Sequence, residues 1–254
     1  MSLIKNYHII KKARVTHGFF TRLNGFSKND FRSLNCSISN GDNKKLVLKN
    51  RQKALKNLGL QNKKLILINQ IHSSKVVLIN NSNINKKIEA DGMMTSLNNI
   101  VLGVLTADCA PIFIYDNKNR FVCCLHSGWK GTLNNISKKA VNMFRKHKIN
   151  LKNITAIVGP CLNKKNYEVD RSFEKKFIKK NQNYSKFFTK KNINKSFFNL
   201  RGLINYQLKE LGIKKIHNIN LDTYAHERLF FSHRRSKHQN EKTTGRLINL
   251  ISLT

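Results

Sequence analysis

Two imidazoles and a thiol pose the chemical question in this chain: His72, Cys109 and His126 each fall at, or just past, the end of an apolar run that reads as a strand. Two histidines and one cysteine suit zinc, and three protein ligands leave a fourth tetrahedral position open for water or substrate. An open site of that kind lowers the pKa of a bound water or polarises a substrate atom. The same side chains also suit copper, as in two-His, one-Cys electron-transfer sites, or a hydrolase in which Cys109 is the nucleophile and a histidine its base. Asp108, next to the thiol, can orient a ligand or substrate, although an Asp at a strand end is also an ordinary turn residue. The three side chains are far apart in sequence and form no C-x-x-C or H-x-x-x-H signature, so spacing alone leaves all three chemistries open.

The elements around them are legible from apolar patterning. Residues 65 to 70 and 76 to 79 read as branched strands flanking His72. Residues 100 to 105 read as a central strand buried on both faces, followed by Thr106-Ala107-Asp108-Cys109-Ala110-Pro111 and the apolar run 112 to 115. Cys123-Cys124-Leu125 then delivers His126 into a turn carrying the chain's only tryptophan, Trp129. Upstream, residues 7 to 22 suggest one or two strands. A helix is expected to open at Gly41-Asp42, with Asp42 as N-cap and Gly59 as its stop. Val47, Arg51, Leu55 and Leu58 share its face, which puts an arginine on an apolar stripe; it must find an anionic partner or snorkel to solvent. Downstream, Thr132 is positioned to cap a helix burying Leu133, Ile136, Ala140, Met143 and Phe144. A strand at 154 to 158 runs into Gly159-Pro160-Cys161. Phe173 and Phe177 have helical spacing in a Lys- and Phe-rich stretch, and Leu200, Ile204, Leu208 and Leu211 mark a last helix ended by Gly212. Strands at 216 to 221, 229 to 232 and 247 to 253 complete the order. With no internal repeat and no Pro- or Gly-rich linker, residues 1 to 254 are expected to form one domain.

Composition bounds the rest. A hydrophobic fraction of 40% with 15 Phe is that of a folded globule. No apolar run is long enough to span a bilayer and the first residues lack the apolar core of a secretory signal, so a cytoplasmic location with no membrane partner is expected. Five cysteines at irregular spacing argue for free thiols over disulfides. The net charge of +35 would suit a basic polyanion-binding protein. Lys and Asn are instead spread along every segment without one basic helix or an aromatic-interleaved patch, which favours a codon bias over a nucleic-acid partner. With 13 acids in all, those inside motifs stand out: Asp91, Asp108, Glu168, Asp170 and Asp222.

Taken together, several short stretches resemble, in order, the laccase-domain family, once called multicopper polyphenol oxidase-like and associated with purine nucleoside phosphorylase activity. They are His17-Gly18-Phe19-Phe20-Thr21-Arg22, Asn69-Gln70-Ile71-His72, Ala90-Asp91-Gly92, Thr106-Ala107-Asp108-Cys109-Ala110-Pro111, His126-Ser127-Gly128-Trp129-Lys130-Gly131, Phe230-Phe231-Ser232-His233-Arg234-Arg235 and Thr244-Gly245-Arg246. The resemblance implies an α/β fold, a four-layer α/β/β/α sandwich with mixed sheets of the cysteine-hydrolase-like type. It implies zinc, with copper the weaker choice, held by His72, Cys109 and His126, with Cys109 and Asp108 at the catalytic centre. It implies phosphorolysis of adenosine, inosine and methylthioadenosine, together with adenosine deamination. Nucleosides and phosphate would then be the partners, with Gln70, Arg51, Lys130 and Arg234 as substrate-binding candidates and Arg235 as a further cation. Copper oxidation of phenols and a Cys109 amidase acting on cell-wall precursors stand as the rival activities. Asp222-Thr223 departs from the family's usual Cys-Thr, so a thiol there is not essential.

Overall fold

The long apolar runs become the strands of two mixed sheets. A computed structural model describes residues 3–4, 14–118 and 120–254. In chain order its elements are β1 (Leu3–Ile4), β2 (Val15–Phe20), α1 (Lys44–Asn57), β3 (Lys64–Leu67), β4 (Val76–Leu78), β5 (Gly92–Thr95), β6 (Ile100–Thr106), β7 (Ala110–Asp116) and β8 (Val122–Ser127). There follow α2 (Trp129–Leu133), α3 (Ile136–Lys146), β9 (Ile154–Val158), β10 (Glu168–Asp170), α4 (Arg171–Lys180), β11 (Phe188–Lys190), β12 (Lys195–Phe198), α5 (Leu200–Glu210), β13 (Lys215–Asn218), α6 (His233–His238) and β14 (Leu247–Leu253). A five-stranded sheet has the order β1-β2-β14-β6-β3, a six-stranded sheet β13-β9-β7-β8-β5-β4, and a small antiparallel sheet β10-β12-β11.

The two large sheets face each other across a shared core. Phe19, Leu102, Val104 and Ile251 from one meet Met93, Phe113, Cys124 and Ile157 from the other. The outer face of the five-stranded sheet packs Phe20, Val101 and Leu250 on Ala54 and Leu55 of α1. The outer face of the six-stranded sheet packs Ile112, Ile114 and Leu125 on Ala140 and Phe144 of α3 and Leu203, Ile204 and Leu208 of α5. Strands buried on both sides explain why β6, β7 and β9 read as continuous apolar runs and not as alternating ones.

Several expectations need correction. Asn43, not Asp42, caps α1: its side chain accepts from the N–H groups of Lys45 and Leu46, while the Asp42 carboxylate is taken by Ser27 Oγ and Asn35 Nδ2. Gly59 stops the helix as expected, at φ +70°, where a Cβ is disfavoured. The helix expected from Thr132 is split. Thr132 turns its hydroxyl inward to the Gly128 carbonyl, and Asn135, at φ 53°, starts α3 afresh by accepting from Lys138 N–H. Residues 229 to 232 form no strand. Phe230 and Phe231 are fully buried, but the carbonyls of Phe230 and Leu229 accept from Arg235 Nη2 and the Arg22 N–H, not from a neighbouring strand. The last helix is α6, which follows the one ended by Gly212. Of the strand expected at 7 to 22, residues 7 to 13 lie outside the described residues.

Topology sets up the site. β3 and β6 are parallel neighbours in the five-stranded sheet, yet each is followed in sequence by a strand of the six-stranded sheet, β4 and β7. The chain therefore changes sheets twice at the same end of the molecule. His72 lies on the first crossing and Cys109 on the second.

Candidate metal centre

The strand registers bring the third ligand to these crossings. β8 runs antiparallel to β7 with His126 opposite Pro111, so the end of β8 lies beside the start of β7 and Cys109. β5 is antiparallel to β8 with Gly92 opposite Leu125, which sets Asp91 at the same place. β14 begins opposite the end of β6, Leu247 against Thr106, and this delivers Arg246.

The ligand atoms of His72, Cys109 and His126 all lie within 4.8 Å of one another. The rings of the two histidines are 4.9 Å apart, nearly edge to face. His126 is buried, Cys109 half-buried and His72 exposed. The backbone is bent to achieve this: His72 has φ 56° and Asp108 φ 85°, left-handed values that cost energy and persist where the surroundings enforce them. Behind the thiol, a Cβ on Gly128 would sit 2.8 Å from Cys109 Sγ, so only glycine admits the thiol here.

Asp91 holds both histidines. One of its carboxylate oxygens accepts from His126 Nδ1 at 2.8 Å and from the His72 N–H at 3.0 Å. The other accepts from the N–H and hydroxyl of Ser73 and the N–H of Ile71. With Nδ1 committed to a carboxylate, the His126 ring presents Nε2 to the thiol side, the arrangement in which an outer carboxylate fixes the tautomer of a ligating imidazole. Burial alone would raise the Cys109 thiol and lower His126. The charge interaction between the two, with the hydrogen bonds both histidines give the thiol and the one His126 gives Asp91, reverses both shifts, so the pair favours thiolate and imidazolium. Burial likewise opposes the Asp91 charge, but its hydrogen bonds with His126 and Ser73 hold it below the usual carboxylate range. A thiolate and two oriented imidazoles are the donor set of a zinc site with one position left over.

The trio lines a cavity of 390 Å³ together with Gln70, Leu105, Ala107, His233 and Arg246. Burial pushes the Arg246 guanidinium down, while the charges of Cys109 and Asp108 oppose that. Its Nη1 donates to the carbonyls of Thr244 and Gly245.

The other sequence candidates are placed as follows. Gln70 lines the cavity, but its amide is spent on both backbone groups of Leu105, which pins the end of β6. Asp108 accepts from Thr223 Oγ1 and from the Arg234 N–H, each at 2.6 Å, so it ties the loop after β13 and the start of α6 to the thiol. The Arg234 side chain donates to the Glu168 carbonyl and lies over the Tyr167 ring. Arg51 donates to the Cys36 carbonyl, a neutral acceptor that is neither the anionic partner nor the solvent left open by the helix pattern. Lys130 is exposed, 5.6 Å from the Trp129 ring. None of these three cations lines the cavity. Arg235 is buried, not a surface charge, and binds the carbonyls of Thr223, Tyr224 and Phe230. Sequence reasoning misses Asp91, His233 and Arg246 as site residues, although all three stand in family-like motifs. The scarcity of acids is a further signal for Asp91.

The family model described as multi-copper polyphenol oxidoreductase laccase matches residues 16–254. A purine nucleoside phosphorylase of Rickettsia conorii is 31% identical over 188 residues, 74% of this chain and 77% of the relative. One of Haemophilus influenzae is 30% identical over 238 residues, 92% and 93% of the two chains. Among solved structures, the hypothetical protein YfiH of Bacillus licheniformis superposes with a TM-score of 0.89 at 29% identity, covering 99% of this chain and 96% of that one. A match over nearly the whole chain, with relatives and a solved fold that agree, makes this chain a member of the multi-copper polyphenol oxidoreductase laccase family.

Proposed function

We propose that this chain is a cytoplasmic, zinc-dependent purine nucleoside phosphorylase that converts adenosine, inosine and methylthioadenosine to free base and ribose 1-phosphate, with adenosine deamination as a second activity. The observation that carries the reading is one cavity lined by two unlike sets of groups: the His72, Cys109 and His126 donors, and the Arg246 cation with His233. Relatives named purine nucleoside phosphorylase support the reaction class. Five free thiols support a reducing compartment. The cluster of α1 on one sheet and of α3 and α5 on the other supports the four-layer sandwich.

In phosphorolysis a phosphate oxygen bonds to C1′ of the ribose as the C1′–N9 bond breaks, and the base leaves with the electron pair and a proton. Zinc held by His72, Cys109 and His126 would supply Lewis acidity toward a substrate oxygen. Arg246 would bind the phosphate, since a guanidinium fork matches its geometry. Ile68, Leu105 and Ala107 offer an apolar wall for the purine. Asp91 fixes the His126 imidazole and the His72 backbone, and Asp108 fixes the segment leading into α6.

Purified protein is expected to hold about one zinc per chain and to release hypoxanthine from inosine only when phosphate is present. Arg246→Gln is expected to raise the KM for phosphate about ten-fold or more, the loss of a charge-assisted hydrogen bond. Equal product without phosphate would overturn the phosphorylase reading. The thiolate-favouring environment of Cys109 supports a second reading, a Cys109 nucleophile. Activity that survives complete chelation and disappears on alkylation would select it.

A further inference from the structure

The charge excess has a focus on the outer face of α1. This helix carries six cations, Lys44, Lys45, Lys49, Arg51, Lys53 and Lys56, and no acid in its 14 residues. Lys45, Lys49, Lys53 and Lys56 follow one another at four-, four- and three-residue steps, so they form a stripe along one side. Like charges at these spacings repel, and no acid within the helix offsets them. The fold adds what the sequence pattern conceals. Phe26, far upstream of these lysines, is brought against the stripe with Lys53 Nζ 5.1 Å from its ring centroid. Phe26 is 44% exposed and is the one exposed Phe, Tyr or Trp side chain among the described residues. Together with Lys49, Gln52, Lys53, Lys56 and Gln61 it lines a surface groove of 550 Å³ that contains no acid. Basic residues spread evenly by codon bias do not account for an open ring set among them.

We propose that this groove is a docking site for single-stranded nucleic acid, with Phe26 stacking on an unpaired base and Lys49, Lys53 and Lys56 neutralising backbone phosphates. A ring framed by cations is the recurring platform for single strands, because every base has a face to stack and every nucleotide a charge to pair. A duplex offers the phosphates but keeps its base faces covered. The lysines from 49 to 56 span about 10 Å of helix axis at 1.5 Å per residue, room for a short run of backbone. None of the four residues lines the metal cavity, so the site is independent of the proposed nucleoside chemistry.

The test is anisotropy of a labelled oligo(dT) titrated with full-length protein across a salt series, with a duplex of equal length and heparin as comparisons. Phe26→Ala is expected to weaken oligo(dT) binding at least about five-fold, because one base no longer stacks, and to leave heparin binding unchanged. The triple variant Lys49→Gln, Lys53→Gln, Lys56→Gln is expected to flatten the slope of log affinity against log salt by about 2, since each phosphate neutralised on a single strand adds about 0.7 to that slope. Phe26→Trp keeps the stacking and adds a reporter: oligo(dT) should quench its fluorescence, measured against the Trp129 background of wild type. The proposal fails if Phe26→Ala binds oligo(dT) like wild type, if the duplex binds as well as the single strand, or if Phe26→Trp is not quenched. Binding to anionic vesicles without binding to oligo(dT) would also overturn it. Inosine turnover should be unaltered in all three variants, which keeps failure here separate from failure of the enzyme reading.

Discussion

Two histidines on facing sheets are equally removed from water and end in opposite states. His126, on β8, is 4% exposed, and His17, on β2, is 2% exposed. His126 meets a carboxylate and a thiol, and its affinity for a proton rises despite burial. His17 is packed between the rings of Phe19, Phe113 and Tyr115. Its Nε2 finds no partner, and burial pushes it down to about 4. Burial by itself therefore says nothing about whether a histidine is a functional group. What distinguishes the two is the company supplied by the chain crossings, which exists at one end of the sheets and not in the middle of the core.

The largest effect should come from removing what makes the first environment different. Asp91→Ala strands the N–H groups of Ile71, His72 and Ser73 and the His126 ring. It is expected to cost about 3–5 kcal/mol of stability, as breaking a buried charged network does, and to lower zinc affinity about 10- to 100-fold. Denaturation and chelator competition read the two effects separately. Wild-type metal affinity in this variant would mean that Asp91 does not orient the ligands.

An intermediate effect is expected at the second histidine. The unfolded imidazole takes a proton near 6.5 and the folded one only near 4. The stability associated with a neutral His17 is therefore complete above pH 6.5 and is lost as pH falls toward 4, by about 3 kcal/mol in all. His17→Phe should remove that part of the acid sensitivity, so urea midpoints of variant and wild type should diverge as pH falls from about 7 to about 4.5. Parallel midpoints over this range would show that His17 is not held neutral. The smallest effect tests how finely the Asp91 network is tuned. Ser73→Ala deletes one hydroxyl donor and leaves the Ser73 N–H in place, which should cost about 1 kcal/mol and shift zinc affinity less than Asp91→Ala does.

The difference between these regions also explains what can be read from the chain alone. The apolar runs predict β6, β7, β9 and β14 because strands covered on both faces need unbroken hydrophobicity. Cys109 and His126 are legible because each ends such a run. Their partners are not. Asp91 lies 35 residues from His126 and Thr223 lies 115 from Asp108, and no local periodicity encodes a change of sheet. Arg51 shows the same limit from the other side: helical spacing places it correctly on the α1 face but leaves an anion and solvent both open as its partner, and the Cys36 carbonyl, from a loop with no pattern to read, takes it. Residues 229 to 232 look like a strand because Phe230 and Phe231 are buried, but the carbonyls there accept from the Arg235 side chain and the Arg22 backbone, partners that strand patterning does not describe.

The position of β14 has a consequence for the order of assembly. This strand lies between β2 and β6 and pairs with both, joining Asn249 to Phe19 on one side and to Val104 on the other. Until residues 247–253 have left the ribosome, the five-stranded sheet has a gap at its middle, and pairings that span so much of the chain form slowly. The candidate metal ligands belong to segments finished by residue 126, whereas Arg246 arrives with the strand that fills the gap. A nascent chain can thus bring its His-Cys-His trio together well before Arg246 joins it, and closure of the sheet is the event that completes the lining of the cavity.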